Sequence, residues 1–520
     1  MKKILINRIF FCICFLVIFN NIPEKLQMNF WGGPIGGKLV FYPLTIGVIY
    51  TLYCQYKYKN ILVHFDKFLK FCFLYIGIMI VSLIIGLYNY PYYDVIFHGP
   101  VDQIEKLPRV LAFFTNYGIN INYNVALLLW IVARTIKSVL LEFFWCFGGS
   151  YMIFCWYYNN WQVSIKIMSR AILIGLIIIF SYSFIELFYM SGNVTARNIL
   201  EIITPYFHPI KTYMGWHPPL LWNGQVRSIF IEPSYVGNYI AIAIPVLLYC
   251  YFQTTSKHIL LSFGYLTFLV FLTQARTAYG MLLGMMVLLI ILLLISKKMD
   301  LLIKTGTIFC VLVLAFVCSV KFIDYTRNAR NDDKQTKIIA AEIINNNLIS
   351  LTEKNKRSNG ARYALIKSNL RIVSEYPIFG VGKGLASAYI VNHFTEKEKR
   401  NREVSMWVSY QKKYGSLSSK YSINSAFNEY ITIMAQTGIL GLSIFIFPFI
   451  WLVVNLFDLY KKQEYERQLD VLLILFALIS LLASGINTSI TVFYSSWILL
   501  GVGFAVVYSE KICVDANKTS

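Results

Sequence analysis

The sequence predicts an all-α polytopic membrane protein with about twelve transmembrane helices. Of its 520 residues, 57% are hydrophobic and 14% are charged, whereas soluble domains carry about 25% charged residues. Apolar stretches that can cross about 30 Å of hydrocarbon recur along the chain. The predicted spans are residues 5–20, 38–54, 69–88, 138–158, 171–190, 233–252, 259–274, 277–296, 301–322, 429–456, 469–486 and 490–508.

The loops between these spans predict the orientation of the chain. Lysine and arginine concentrate before the first span, between the second and third, and in later short loops on the same side. Short basic loops face the cytoplasm, so both termini are expected there. The expected divisions are helices 1–9 in 1–323, a large external loop in 324–427, helices 10–12 in 428–508 and a cytoplasmic tail in 509–520.

Two further features concern the ends of the chain and its cysteines. The stretch MKKILINRIFFCICFLVIFNN has no small-residue cleavage site, so we expect a retained span and not a signal peptide. The span predicted within 123–158 contains charged residues, which a membrane helix with an amphipathic extension would accommodate. The cysteines lie in or beside apolar segments except Cys513, and no disulfide is expected in the long external loops.

The segment 324–427 is the candidate for a separate external subdomain. It holds eighteen Lys or Arg against nine Asp or Glu, which indicates an anionic ligand or the membrane surface. Apolar spacing predicts amphipathic helices over 334–351 and 361–374. The second leads into FGVGKG, where Gly382 and Gly384 flank Lys383 and permit the backbone angles of an anion-binding turn. The spacing is not that of a P-loop, so no nucleotide is expected.

The stretch RSIFIEPSYVG places two charges at the start of an apolar span. Pro233 is expected to begin a helix and Glu232 to precede it. The helix N-terminus carries partial positive charge and would help Arg227 hold phosphate oxygens. Glu232 would act as a base or orient an arginine. The alternative is structural, with Glu232 as a helix cap and Arg227 extended to the membrane surface.

Two more arginines lie on the predicted external side. Arg276 sits in LTQARTAYG, a tight turn between two spans, where it would hold either a substrate anion or lipid headgroups. Arg362 begins the second amphipathic stretch. The six histidines have no HExxH or CxxC partner spacing, so no metal ion and no other cofactor are expected.

Four stretches together resemble the O-antigen polymerase and ligase superfamily, the Wzy and WaaL proteins of bacterial surface polysaccharide assembly. They are RSIFIEPSYVG, LTQARTAYG, NGARYALIKSNLRIVSEYPIFGVGKG and AFNEYITIMAQTGILGL. The order of the four is more specific than any one of them, since the last two flank the end of a large external loop.

The resemblance implies a glycosyltransferase of the GT-C type at the outer face of the bacterial plasma membrane. The implied donor is an undecaprenyl-diphosphate-linked saccharide, and the implied chemistry requires no metal. Arg227, Arg276 and Arg362 occupy the motif positions taken to bind the diphosphate. The expected partners are the lipid-linked oligosaccharide, membrane lipid and a chain-length regulator protein, with no nucleic acid.

One departure from the family pattern favours the polymerase branch. The ligases carry a histidine where this chain has Phe427, directly before Asn428. Asn428 would hydrogen-bond a sugar or cap the following helix. The alternatives are a ligase that transfers glycan to a final acceptor, and a flippase for the same lipid-linked saccharide. Transporters bind substrate near the midplane between repeated halves, whereas the suggestive charges here gather at one face.

Overall fold

The chain folds into helices throughout the part that the structure describes. The computed structural model describes residues 2–20, 22–23, 26–27, 37–58, 67–100, 103–208, 220–222, 224–328, 357–418, 423, 425–462 and 465–519. Helices make up 80% of the structure, and no strand occurs within the described residues. The predicted all-α class is confirmed.

Within the described residues of the first half of the chain there are nine helices. A helix suits a membrane protein because it satisfies its own backbone polar groups inside hydrocarbon. A six-residue π-helical segment, Phe143–Gly148, joins α6 to α7 as one continuous run. That run covers the predicted span and its extension. The helices are α1 (Lys2–Leu16), α2 (Phe41–Tyr58), α3 (Lys67–Tyr88), α4 (Tyr93–Phe97), α5 (Leu107–Asn116), α6 (Tyr123–Glu142), α7 (Gly149–Tyr157), α8 (Trp161–Met190) and α9 (Val194–Phe207).

The second half alternates long apolar helices with a group of shorter polar ones. The short helices follow α13 and precede the long α18, where the large external loop was predicted. The helices are α10 (Pro233–Thr254), α11 (Lys257–Leu272), α12 (Arg276–Ile295), α13 (Met299–Asn328), α14 (Arg357–Glu375), α15 (Ala386–Asn392), α16 (Glu396–Lys399), α17 (Arg402–Tyr414), α18 (Glu429–Lys462), α19 (Tyr465–Ser484) and α20 (Ser495–Thr519).

Among the described residues, eight helical runs are long and apolar enough to cross a membrane. They are α3, the α6–α7 run, α8, α10, α12, α13, α18 and α19. Shorter apolar helices lie at α11 and in the first part of α20. Each of the twelve predicted spans coincides with a helix. The number that crosses the membrane stays a prediction.

Helix α10 lies at the centre of the bundle. Of its most apolar stretch, 83% is buried, more than in any other candidate span that the structure describes. It packs on α8, α11, α12 and α19. At Gly237 the helix passes so close to α12 that a Cβ there would lie 2.8 Å from the Cα of Ala278. This approach fixes the first turns of α10 and α12 side by side.

Helix α18 is broken at Gly438, which has φ 70° and ψ −174°. The segment 377–382 fills the break and pairs with the interrupted backbone. The amides of Val381 and Gly382 donate to the carbonyls of Ala435 and Gln436 at 3.0 and 2.9 Å. Non-helical backbone at membrane depth requires partners of this kind. The pairing anchors the end of α14 to the first part of α18.

The predicted amphipathic helix over 361–374 is confirmed as α14. Ala361, Leu365 and Ile372 form its buried face, and Arg371 makes two 2.8 Å hydrogen bonds to the carboxylate of Glu398. These contacts tie α14 to the short helices that follow it. The other predicted amphipathic helix, 334–351, lies outside the described residues.

Candidate active site

Two arginines that are distant in sequence lie together beside the first turns of α10, α12 and α18. Arg276 is the first residue of α12, and its Nη1 donates to Oδ1 of Asn359 on α14 at 2.9 Å. Arg362, one turn further along α14, lies with its guanidinium carbon 5.5 Å from the ring centre of Phe427. The close α10–α12 contact and the anchored α14 therefore bring both side chains to one place.

The two guanidinium groups repel each other. Burial lowers the pKa of Arg362 from its ordinary value, and the charge of Arg276 lowers it further. The carboxylates of Glu232 and Glu403 act in the opposite direction. Two partly buried positive charges that lie close together favour an anion that contacts both. We call Glu232, Arg276, Asn359, Arg362 and Phe427 the arginine site.

Glu232 occupies the N-cap position of α10, as the sequence predicted. Its backbone is extended, with φ −136° and ψ 148°, yet its side chain makes no capping hydrogen bond to the described first turn. The carboxylate accepts a 3.4 Å hydrogen bond from Oγ of Ser234 and interacts electrostatically with Arg362. Its carboxylate therefore acts on Arg362 of the arginine site and does not cap the helix N-terminus.

Phe427 and Asn428 form the entry to α18. Phe427 has φ 53°, a left-handed conformation that costs free energy in a bulky residue. The ring held in this way lies against Arg362. The Oδ1 of Asn428 accepts from the amide of Ile431 at 3.0 Å, and its Nδ2 donates to the carbonyl of Ile486 at 3.0 Å. Asn428 is thus a helix cap, and its predicted contact with sugar stays a prediction.

The glycine-rich turn has the unusual backbone angles that the sequence predicted. Gly382 and Gly384 have φ of 89° and 87°. The amides of Val381 and Gly382, however, donate to α18 and not to a ligand. Lys383 is directed inward and forms an ion pair with Glu142 on α6. These contacts anchor the turn to α18 and α6, and its predicted contact with an anion stays a prediction.

Replacing Lys383 by methionine is expected to destabilise the protein, because the largely buried carboxylate of Glu142 would lose its ion-pair partner and keep the 3.3 Å hydrogen bond from the Tyr75 hydroxyl. Breaking a buried pair in this way typically costs about 3–5 kcal/mol. Thermal unfolding of the detergent-solubilised protein would show the loss, and Lys383→Met combined with Glu142→Gln should regain most of it. Lys367→Met, an exposed change on α14, is the control. Normal unfolding of Lys383→Met with loss of activity would instead support a ligand-binding lysine.

Arg227 differs from Arg276 and Arg362 in its contacts and in its exposure. Its side chain is only 5% exposed, and its Nη1 donates to the carbonyl of Ile231 at 3.4 Å. The carboxylate that acts on it belongs to Glu186 on α8. The sequence analysis predicted a diphosphate contact here, but the structure directs this guanidinium toward the interior.

Sequence reasoning missed Glu186, Asn359 and Glu403. Glu186 gave a signal, since it is a lone carboxylate within the apolar run of α8, and such residues are functional candidates by default. Asn359 begins the stretch NGARYALIK that carries the resemblance, but no role was assigned to it. Glu403 gave no signal, because charged residues are common in a hydrophilic segment. Among the described residues, no group of three or more His, Cys, Asp or Glu side chains is placed to hold a metal ion.

Comparison with known proteins bears on this region of the chain. Residues 261–446 match the family model described as O-antigen ligase. The matched segment contains Arg276, Asn359, Arg362 and Phe427 and ends within α18, whereas Arg227 and Glu232 precede it. No match was found among the curated proteins.

Proposed function

We propose that this member of the O-antigen polymerase and ligase superfamily is a polysaccharide polymerase, for O-antigen or capsule. It transfers a growing undecaprenyl-diphosphate-linked glycan onto the next lipid-linked repeat unit. The reaction takes place at the outer face of the bacterial plasma membrane, with both termini of the chain in the cytoplasm. The protein acts as a GT-C-type glycosyltransferase without a metal ion.

The observation that carries this proposal is the pairing of Arg276 and Arg362 next to Glu232. The bond between the donor's anomeric carbon and its diphosphate breaks, and the diphosphate leaves with the electron pair. Two guanidinium groups already in place stabilise the charge that develops on it. The acceptor hydroxyl oxygen forms the new bond to carbon and passes its proton to Glu232. Asn359 orients Arg276 for this contact.

Phe427 supports polymerase over ligase. The ligases carry a histidine directly before the asparagine of the last motif, where this chain has Phe427. Here the ring packs against Arg362 and offers no group that binds or transfers a proton. In the proposed mechanism the carboxylate of Glu232, which acts electrostatically on Arg362, therefore accepts the proton of the acceptor hydroxyl.

Reconstitution of the purified protein with lipid-linked repeat units tests the function. In liposomes that contain chelator and no other acceptor, we expect a ladder of products that grow by whole repeat units. A ligase would leave the repeat unit unextended until a final acceptor is added. A flippase would move the labelled lipid across the bilayer at constant length. Either of these results would overturn the assignment as a polymerase.

A further inference from the structure

A second group of charged and polar side chains lies behind the arginine site. Arg227 is 5% exposed, His208 is 2% exposed and Glu186 is fully buried. They come from three separate parts of the chain: the segment before α10, the residue that ends α9, and the interior of α8. Buried charges are costly unless they are paired and hydrogen-bonded. Their arrangement therefore needs a physical reason.

The contacts of this group converge on the backbone at Ser228. Its amide donates to Oε2 of Glu186 at 2.8 Å. Nε2 of His208 donates to the Ser228 carbonyl at 3.0 Å, and the Ser228 hydroxyl donates to the carbonyl of Ile179 at 3.0 Å. Ser228 is held at φ 54°. A non-glycine residue keeps this angle only when its surroundings impose it.

The side chain of Arg227 completes the arrangement. Its guanidinium interacts with the charge of Glu186 and donates to the carbonyl of Ile231, the residue directly before Glu232. Burial lowers the pKa of Arg227, and Glu186 opposes that shift. The carboxylate of Glu186 on α8 thus holds the start of the segment 227–231, and the bond from Arg227 to Ile231 fixes its end, directly before Glu232.

We propose that Glu186 and Arg227 form a positioning pair that fixes the segment 227–231 and with it the carboxylate of Glu232, and that Arg227 is not a ligand of the donor diphosphate. The proposal rests on the proposed function in that it assigns Glu232 to glycan transfer. It separates the three motif arginines into two roles. Arg276 and Arg362 meet the anion, and Arg227 is the counter-ion of a carboxylate in α8.

A double-mutant cycle of Glu186→Gln and Arg227→Gln tests the pairing. Each single change leaves one buried charge without its partner and should lower turnover per folded enzyme by about tenfold or more. The double variant leaves no unpaired charge, and glutamine keeps the shape of Glu186, so we expect its turnover to lie above that of either single variant. If Arg227 binds diphosphate, the double variant will be as inactive as Arg227→Gln alone.

Donor affinity is a second measurement. A variant that only damages the fold would lower turnover and donor affinity together. The proposal predicts that both single variants lower turnover while the affinity for an undecaprenyl diphosphate probe stays unchanged. Arg276→Gln, in contrast, should weaken that affinity. Glu201→Gln is the matched control, because Glu201 pairs with Arg197 in an exposed salt bridge on α9. It should leave turnover and affinity as they are.

The result of the double-mutant cycle does not depend on whether the protein is a polymerase or a ligase. All variants are compared on whichever glycan transfer the original protein performs, so a ligase assignment leaves the test intact. If the single variants do not fold, the double variant alone decides, since it contains no unpaired buried charge. A folded and active double variant supports the pair. A double variant that does not fold, or that folds without transfer, overturns it.

Discussion

Replacing Arg276 or Arg362 by glutamine is expected to reduce glycan transfer by about 10²- to 10³-fold, the usual loss when one preorganised donor to a developing negative charge is removed. In the proposed mechanism both side chains bind one diphosphate, and their guanidinium groups lie close enough to repel each other. Either change leaves the diphosphate with one contact. The effect should appear in turnover and in donor affinity, both measured in the liposome assay.

Conservative and control variants sharpen this expectation. Arg276→Lys and Arg362→Lys should recover little activity, because an ammonium group cannot make the planar two-pronged contact with phosphate oxygens. Arg197→Gln removes an exposed arginine of α9, 61% accessible, and should change nothing. Near-normal polymer from both Arg276→Gln and Arg362→Gln would remove the physical basis of the assignment.

The helices could be predicted from the sequence because hydrocarbon imposes a strong and local rule. An apolar run of sufficient length becomes a helix whatever its neighbours are, and each predicted span coincides with one. The amphipathic spacing of 361–374 carried the same kind of information for α14. The resemblance, confirmed by the family match over 261–446, added Arg276 and Arg362.

The direction in which a charged side chain points could not be predicted in this way. Arg227 and Arg276 look equivalent in sequence, since each lies beside the start of an apolar span. Arg227 turns inward because α8 places Glu186 behind it, forty-one residues earlier in the chain. Arg276 lies in the arginine site, where its guanidinium donates to the neutral amide oxygen of Asn359.

The glycine-rich turn illustrates the same limit. Its glycines were correctly predicted to adopt left-handed angles, which are a local property. The use of those angles depends on α18, whose break at Gly438 accepts the turn's amides. Lys383 likewise meets Glu142 only because α6 passes beside the turn. Both partners come from distant parts of the chain, and no spacing in the sequence indicates them.

Glu232→Gln is expected to lower turnover by about 10²-fold or more, within the range for removal of a general base. Glutamine has nearly the same shape and still accepts a hydrogen bond from Ser234, but it cannot take the proton of the acceptor hydroxyl. Because the side chain makes no capping hydrogen bond to the described first turn of α10, the helix should form as before. Thermal unfolding should therefore be unchanged.

The affinity for the donor distinguishes a base from a residue that only orients Arg362. The negative charge of Glu232 favours the charged form of Arg362 and competes with the diphosphate for it. Its removal should leave donor binding unchanged or slightly tighter while transfer stops. Glu403→Gln is the matched control, since Glu403 acts on Arg362 in the same electrostatic sense but comes from α17 and is assigned no proton. If both glutamine variants lose activity equally, the carboxylates only balance charge, and a different group must accept the proton.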